Sequence, residues 1–131
     1  MATVKFVSAP DAPPPAGHYS PAVIHNGTIY VSGQLARVPG AAPDFVPEGM
    51  AAQVTQCLTN AETILKAAGA DRRHVVRATL YVSDIAGWGE ANTAFAAFFG
   101  DHKPARSIIP VSKFKSTFVV EIDIVAAVPG T

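Results

Sequence analysis

The sequence predicts an α+β domain, a β-sheet with two helices on one of its faces. Three observations carry this. Apolar residues alternate at every second position in several short segments, as in strands. They recur every three or four positions in two longer segments, as along one face of a helix. Both faces of the strand segments carry apolar or aromatic residues, yet two helices can cover only one of them. The uncovered face would be an unusually large exposed patch, so a homo-oligomer that buries it is expected.

The elements follow in order. Pro10 to Pro15 is proline-rich, hence extended rather than helical. Pro21 to His25 reads as a short strand. Asn26-Gly27 is a type I′ hairpin signal, and Thr28 to Leu35 is the returning strand. Val38 to Pro47 holds four proline or glycine residues, Pro39, Gly40, Pro43 and Pro47, and is a loop. A helix is expected from about Glu48 to Ala68, with Ala51, Val54, Leu58, Ala61, Ile64, Leu65 and Ala68 on its apolar stripe and Gly69 as its stop. Val75 to Val82 is a strand. Asp84 is a candidate N-cap for a second helix that carries Ile85, Trp88, Phe95, Phe98 and Phe99, the three phenylalanines and Trp88 read as core packing, and Gly100 ends it. Ala105 to Val111 and Thr117 to Ala127 are the last two strands.

Alternation assigns faces. Phe118, Val120, Ile122 and Ile124 should meet the helices, with Val119, Glu121, Asp123 and Val125 opposite. Ile29, Val31 and Leu35 should face the helices, and Tyr30, Ser32 and Gln34 should face away. Val76, Ala78, Leu80 and Val82 should face in, and Arg77, Thr79 and Tyr81 out.

At 131 residues the chain is expected to be a single domain, 1–131, with a real core. It is 49% apolar and 15% charged with a formal net charge of zero, which argues against nucleic acid or an anionic membrane as partner. One cysteine, Cys57, excludes an intrachain disulfide and a cysteine-based zinc site. The four histidines, His18, His25, His74 and His102, lack metal-ligand spacing, so no metal is expected. No charged leader precedes an apolar stretch and no segment has transmembrane length, so the expectation is a cytoplasmic protein.

Arg106 is the leading candidate for chemistry. It opens an apolar strand-like run, where a guanidinium is costly to bury unless it meets an anion. Its planar fork grips a carboxylate with two parallel bonds. Glu121 interrupts the last apolar strand. A carboxylate grip and a carboxylate base on neighbouring strands would suit a small acid substrate. The plain alternatives are an ion pair of Arg106 with Asp123 or Glu121, and Glu121 as partner of Arg77 across an oligomer interface. Gly33 lies inside a strand, marking either a bulge or a close approach of ligand to backbone. Asn92, at helical spacing from Trp88 and Phe95, either braces a cleft or caps a strand edge. His18 is read as a turn histidine, and Cys57 as a small buried hydrophobe.

Four segments together resemble the reactive intermediate (imine) deaminase family, also called the Rid or YjgF family. They are Gly17-His18-Tyr19-Ser20, Tyr30-Val31-Ser32-Gly33-Gln34, the helix from Asn92 to Phe99, and Pro104-Ala105-Arg106-Ser107 followed by Val120-Glu121-Ile122. Their order and spacing hold over nearly the whole chain. The resemblance implies a chorismate-mutase-like fold with a mixed sheet, and a homotrimer with clefts between subunits. It implies hydrolysis of enamines and imines such as 2-aminoacrylate, 2-iminopropanoate and 2-iminobutanoate to 2-oxo acids and ammonia, with no cofactor.

By the same resemblance Arg106 holds the substrate carboxylate and Glu121 stands near the attacking water. Tyr19 walls the cleft, Ser32 and Gly33 line it, Asn92 stands beside it, and the backbone of Ile108 could bond the ligand. The chain departs from the pattern where Ile108 replaces a frequent cysteine and Pro110 a frequent acid. His18 replaces the commoner proline, and the loop before Pro104 is short. These departures bear on substrate range more than on reaction type. Two rivals share the fold. One is a pathway-specific deaminase for a 2-aminomuconate-like dicarboxylate, which a second cationic contact such as His18 or Lys113 would favour. The other is a non-catalytic trimer that binds small carboxylates or acts as a chaperone. A chorismate mutase proper is disfavoured, because an arginine-rich cleft is absent.

Overall fold

A computed structural model of the chain describes residues 3–130. Its centre is one six-stranded mixed sheet in the order β1-β2-β3-β6-β4-β5. The strands are β1 (Lys5–Val7), β2 (Ala22–His25), β3 (Thr28–Gln34), β4 (Val75–Val82), β5 (Ala105–Pro110) and β6 (Val120–Ala127). Two helices, α1 (Met50–Ala67) and α2 (Trp88–Phe99), pack together on one face. Only β4 and β5 pair in parallel, with α2 as their crossover. β6 lies antiparallel between β3 and β4.

The local signals act as expected at most boundaries. Asn26 and Gly27 both take positive φ, 49° and 75°, as a type I′ hairpin demands. α1 ends where Gly69 takes φ +88° and the N–H of Ala70 bonds back to Leu65 O at 2.8 Å. Asp84 does cap, but it caps a 3-10 turn, Ile85–Gly87, which leads into α2. β1 was not anticipated, being three residues at the sheet edge.

The core lies between the sheet and the helices. Val120, Ile122, Ile124 and Ala126 of β6 are buried there with Val54, Leu58, Ile64 and Leu65 of α1. Two bulges shift the expected alternation. Between Val31 and Gln34 the register of β3 slips against β6, so that Gln34 turns into the core side and Leu35 is only partly buried. Between Val75 and Arg77 the register of β4 slips, so that Val75 is buried and Val76 is 51% exposed. Trp88, expected in the core, is 44% exposed.

Two buried amides pin the irregular segments. Gln53 on α1 donates to Pro47 O at 2.9 Å and to Thr117 O at 3.0 Å, and its Oε1 accepts from Val119 N at 2.8 Å. Asn60, two turns along, donates to Leu35 O at 3.2 Å and Arg37 O at 2.7 Å. The chain is thereby fixed just before Glu121 and just after the β3 bulge.

On the sheet face away from the helices the partners run Phe6, Val23, Tyr30, Val125 and Arg77 across five strands. Phe6 is 77% exposed and Tyr30 47%. This is the semi-apolar second face that the strand alternation requires.

Candidate functional site

The expected site residues gather into two concavities on opposite faces of the sheet. The first, about 360 Å³, lies on the open face and is lined by Tyr19, Ser32, Gly33, Tyr81, Glu121 and Asp123. The bulge in β3 builds it. Ser32 donates its hydroxyl to Ser20 O at 2.7 Å and its N–H to Pro21 O at 2.9 Å, which folds the Gly17–Ser20 loop over the strand. Tyr19 is held at the rim, its phenol oxygen accepting from Ala16 N at 3.0 Å. Gly33 leaves the space that the Glu121 carboxyl occupies, since a Cβ on it would stand 3.0 Å from Glu121 Cδ. Gly33 is therefore at the bulge, and the group close to its backbone is the Glu121 carboxyl.

Glu121 sits among groups that disfavour its charge. Burial raises its pKa above the ordinary carboxylate value, and the negative charge of Asp123 raises it further. Asp123 accepts a hydrogen bond from the Tyr81 hydroxyl at 3.0 Å. That bond pushes the Tyr81 phenol up as well. Arg77 does not take Glu121 as partner within the chain; its Nη2 donates to Ser107 Oγ at 2.9 Å.

The second concavity, about 480 Å³, lies on the helix side of the edge strand β5. It is lined by Asn92, Phe95, Phe99, His102, Lys103 and Arg106, among others. Arg106 pairs in register with buried Ala78, which points its side chain toward α2. There Nη1 donates to Asn92 Oδ1 at 2.8 Å. The guanidinium lies 5.0 Å from the Phe95 ring centre and 5.5 Å from that of Trp88. Asn92 thus braces the arginine. Among the described residues the ion pairs are Arg72–Glu62 and His74–Asp71, so neither Glu121 nor Asp123 pairs with Arg106 within the chain. Ile108 follows on the same strand, its side chain partly buried against the core.

One expectation is corrected here. Arg106 and Glu121 are not on neighbouring strands, because β4 runs between β5 and β6. They also point to opposite faces, since Arg106 is in register with core-facing Ala78 and Glu121 with outward-facing Tyr81. Within the chain, His102 and Lys103 line the concavity beside Arg106, and His18 and Lys113 do not. Tyr81, Asp123 and Trp88 are contributors that the sequence reading did not assign. Alternation did place Tyr81 and Asp123 on the face of Glu121. Cys57 is buried, and its burial pushes the thiol pKa up, away from reactivity. No group of three or more His, Cys, Asp or Glu among the described residues is placed to hold a metal ion. No helix among them is long and apolar enough to cross a membrane.

Such a sheet, with two helices on one face, a braced arginine on its edge strand and a glutamate under a bulge, defines an α+β protein of the YjgF fold. The chain belongs to the Rid/YjgF/L-PSP family, whose description, Endoribonuclease L-PSP, matches residues 9–128. It is similar to the 2-iminobutanoate/2-iminopropanoate deaminase of Bos taurus, 40% identical over 122 residues that cover 93% of this chain and 88% of the relative. It is also similar to a RutC family protein of Aquifex aeolicus, at 38% over 125 residues covering 94% and 98%. Among solved structures, RidA from the Antarctic bacterium Psychrobacter sp. PAMC 21119 superposes with a TM-score of 0.86 at 31% identity, covering 94% of this chain and 98% of that one.

Proposed function

We propose that this protein hydrolyses 2-imino acids and their enamine tautomers to 2-oxo acids and ammonia, as a homotrimer. The observation that carries this reading is Arg106. It is a half-buried guanidinium braced by Asn92 and two aromatic rings, has no carboxylate partner among the described residues, and opens on a concavity of ligand size. The relatives named as imine deaminases support the reaction type. Because Arg106 and Glu121 face opposite sides of one sheet, a site using both joins β5 of one subunit to the Glu121 concavity of another. The apolar row on the open face gives subunits a reason to associate.

In this mechanism Arg106 holds the substrate carboxylate. Water adds to the carbon of the protonated imine while the C=N π electrons move to nitrogen, and Glu121 takes a proton from that water, leaving a neutral carbinolamine. Glu121 then returns this proton to the nitrogen. The C–N bond breaks as the hydroxyl oxygen forms the C=O bond, and the hydroxyl proton passes through Glu121 to the released ammonia, which leaves as ammonium. Nothing is oxidised or reduced, and neither metal nor organic cofactor is required. Positioning is the larger part of the catalysis, since the imine is already electrophilic.

The test generates 2-iminobutanoate with an amino-acid oxidase and follows its loss by competing semicarbazone formation. Addition of the protein should suppress semicarbazone in proportion to its concentration, and light scattering should give the mass of three chains. Undiminished semicarbazone, or a stable monomer at micromolar concentration, would overturn the reading. Lys103 beside Arg106 favours a second reading, in which the substrate carries a further carboxylate. Faster hydrolysis of an imine made from aspartate than of 2-iminobutanoate would select it.

A further inference from the structure

Two carboxylates, Glu121 and Asp123, share the open-face concavity, yet the chain treats them differently. Tyr81 is in register with Glu121 across β4 and β6, but its hydroxyl reaches diagonally to Asp123 Oδ2 at 3.0 Å. Asp123 is thus held in place by that hydroxyl. Glu121 receives no such side-chain donor among the described hydrogen bonds, and packs instead against the bare Cα of Gly33. The two carboxylates therefore share one concavity in unlike surroundings, one hydrogen-bonded to Tyr81 and the other packed against backbone.

We propose that Asp123, held by Tyr81, is a positioning residue for Glu121: a fixed negative charge that keeps Glu121 able both to take a proton from water and to return it to the leaving nitrogen. The inference rests on the imine-hydrolase reading above. A glutamate with the affinity of a free carboxylate would take the proton weakly. One that a neighbouring anion makes more basic takes it readily, and still releases it to an amine. The direction of the Glu121 shift, raised by burial and then by Asp123, agrees.

Within the chain the other charged or titratable groups around Glu121 are few, and the proposed assembly adds Arg106 of a neighbouring subunit in wild type and variants alike. Tyr19 comes from the Gly17–Ser20 loop, Arg37 from the segment after the bulge, Arg77 and Tyr81 from β4, and the buried Cys57 from α1 behind the sheet. Arg77 is engaged with Ser107, and Arg37 lines a smaller cavity on the far side of Glu121. Within the chain, Asp123 is the anion that acts on Glu121.

The test is the pH profile of kcat/KM for 2-iminobutanoate in the wild type, Asp123→Asn and Glu121→Gln. Asn keeps the size of Asp and an oxygen for the Tyr81 hydroxyl, and removes only the charge. All three are measured on the same substrate, so any limb due to the imine itself cancels in the ratios. The expected result is an acidic limb that moves to lower pH in Asp123→Asn, with a plateau no more than about tenfold below wild type, and that disappears in Glu121→Gln. Affinity for 2-oxobutanoate should stay within about twofold in Asp123→Asn, because Arg106 is untouched. If the Asn variant fails to assemble, Asp123→Thr, which suits a strand, repeats the measurement. An acidic limb unmoved in Asp123→Asn but lost in Glu121→Gln overturns the role of Asp123 and leaves Glu121 as the base. A limb retained in Glu121→Gln overturns both the base assignment and the inference built on it.

Discussion

Replacing Arg106 by Lys keeps the charge and removes the fork, so it measures what the guanidinium geometry contributes. The arginine commits one N–H to Asn92 at 2.8 Å, and its guanidinium lies within 5.5 Å of two aromatic ring centres. Its remaining N–H groups are available for a bidentate grip. Lysine offers one compact ammonium, so one of two charge-assisted bonds to the carboxylate is lost, at about 1.5–3 kcal/mol. The cation–π contact with Phe95 and Trp88 weakens too, at about 0.5–1 kcal/mol. Together these give a transition-state loss of about 2–4 kcal/mol, which corresponds to a fall in kcat/KM of roughly 30- to 900-fold. The fold should survive, because Arg106 lies on an edge strand and only half buried. The assay is semicarbazone competition with 2-iminobutanoate, run beside light scattering and a thermal melt. A variant with intact assembly and kcat/KM within about threefold of wild type would refute the assignment of Arg106 to the carboxylate.

Glu121→Gln should lower turnover by about 10- to 1000-fold, the usual worth of a general base, with 2-oxobutanoate affinity retained in a calorimetric titration; unchanged turnover with an altered oligomer mass would make Glu121 structural. Gly33→Ala places a Cβ 3.0 Å from Glu121 Cδ and should reduce kcat by displacing that carboxyl, visible in kinetics before any loss of secondary structure by circular dichroism. Trp88 is the single tryptophan and its ring faces the Arg106 guanidinium, so a carboxylate binding there should change its emission, and Arg106→Lys should weaken that response. The Glu62–Arg72 pair holds the Glu62 carboxyl below its ordinary value of 4.5, chiefly through the Arg72 hydrogen bonds. A depressed folded pKa gives stability that is present above the unfolded pKa and lost as pH falls through the folded one. Glu62→Gln should therefore cost roughly 1–2 kcal/mol near neutrality, between exposed and buried pairs, and the gap to wild type in thermal melts should close in acid.

What the sequence shows and what it hides follow from the range of the interactions involved. Helix stops at Gly69 and Gly100 and the turn at Asn26-Gly27 are local, since each depends on a residue that tolerates positive φ, and all three stand where composition places them. β4 has the expected bounds because its apolar alternation runs up to Ser83-Asp84, where the cap of the next turn begins. Face assignments fail at Val76 and Gln34, because counting by twos assumes an unbroken ladder and a bulge inserts one residue that only the partner strand reveals. Trp88 fits the helical stripe of Phe95 by spacing, yet it lies at the first residue of α2 and remains 44% exposed, near Arg106. The same limit governs the site itself. Arg106 and Glu121 could each be chosen by chemistry, one as a costly guanidinium in an apolar run and the other as a break in a core strand. Their relation could not be, because strand order is non-local and β4 enters between them from earlier in the chain. Once that order is known, register alone places the two on opposite faces, and a site that needs both residues needs a second copy of the chain.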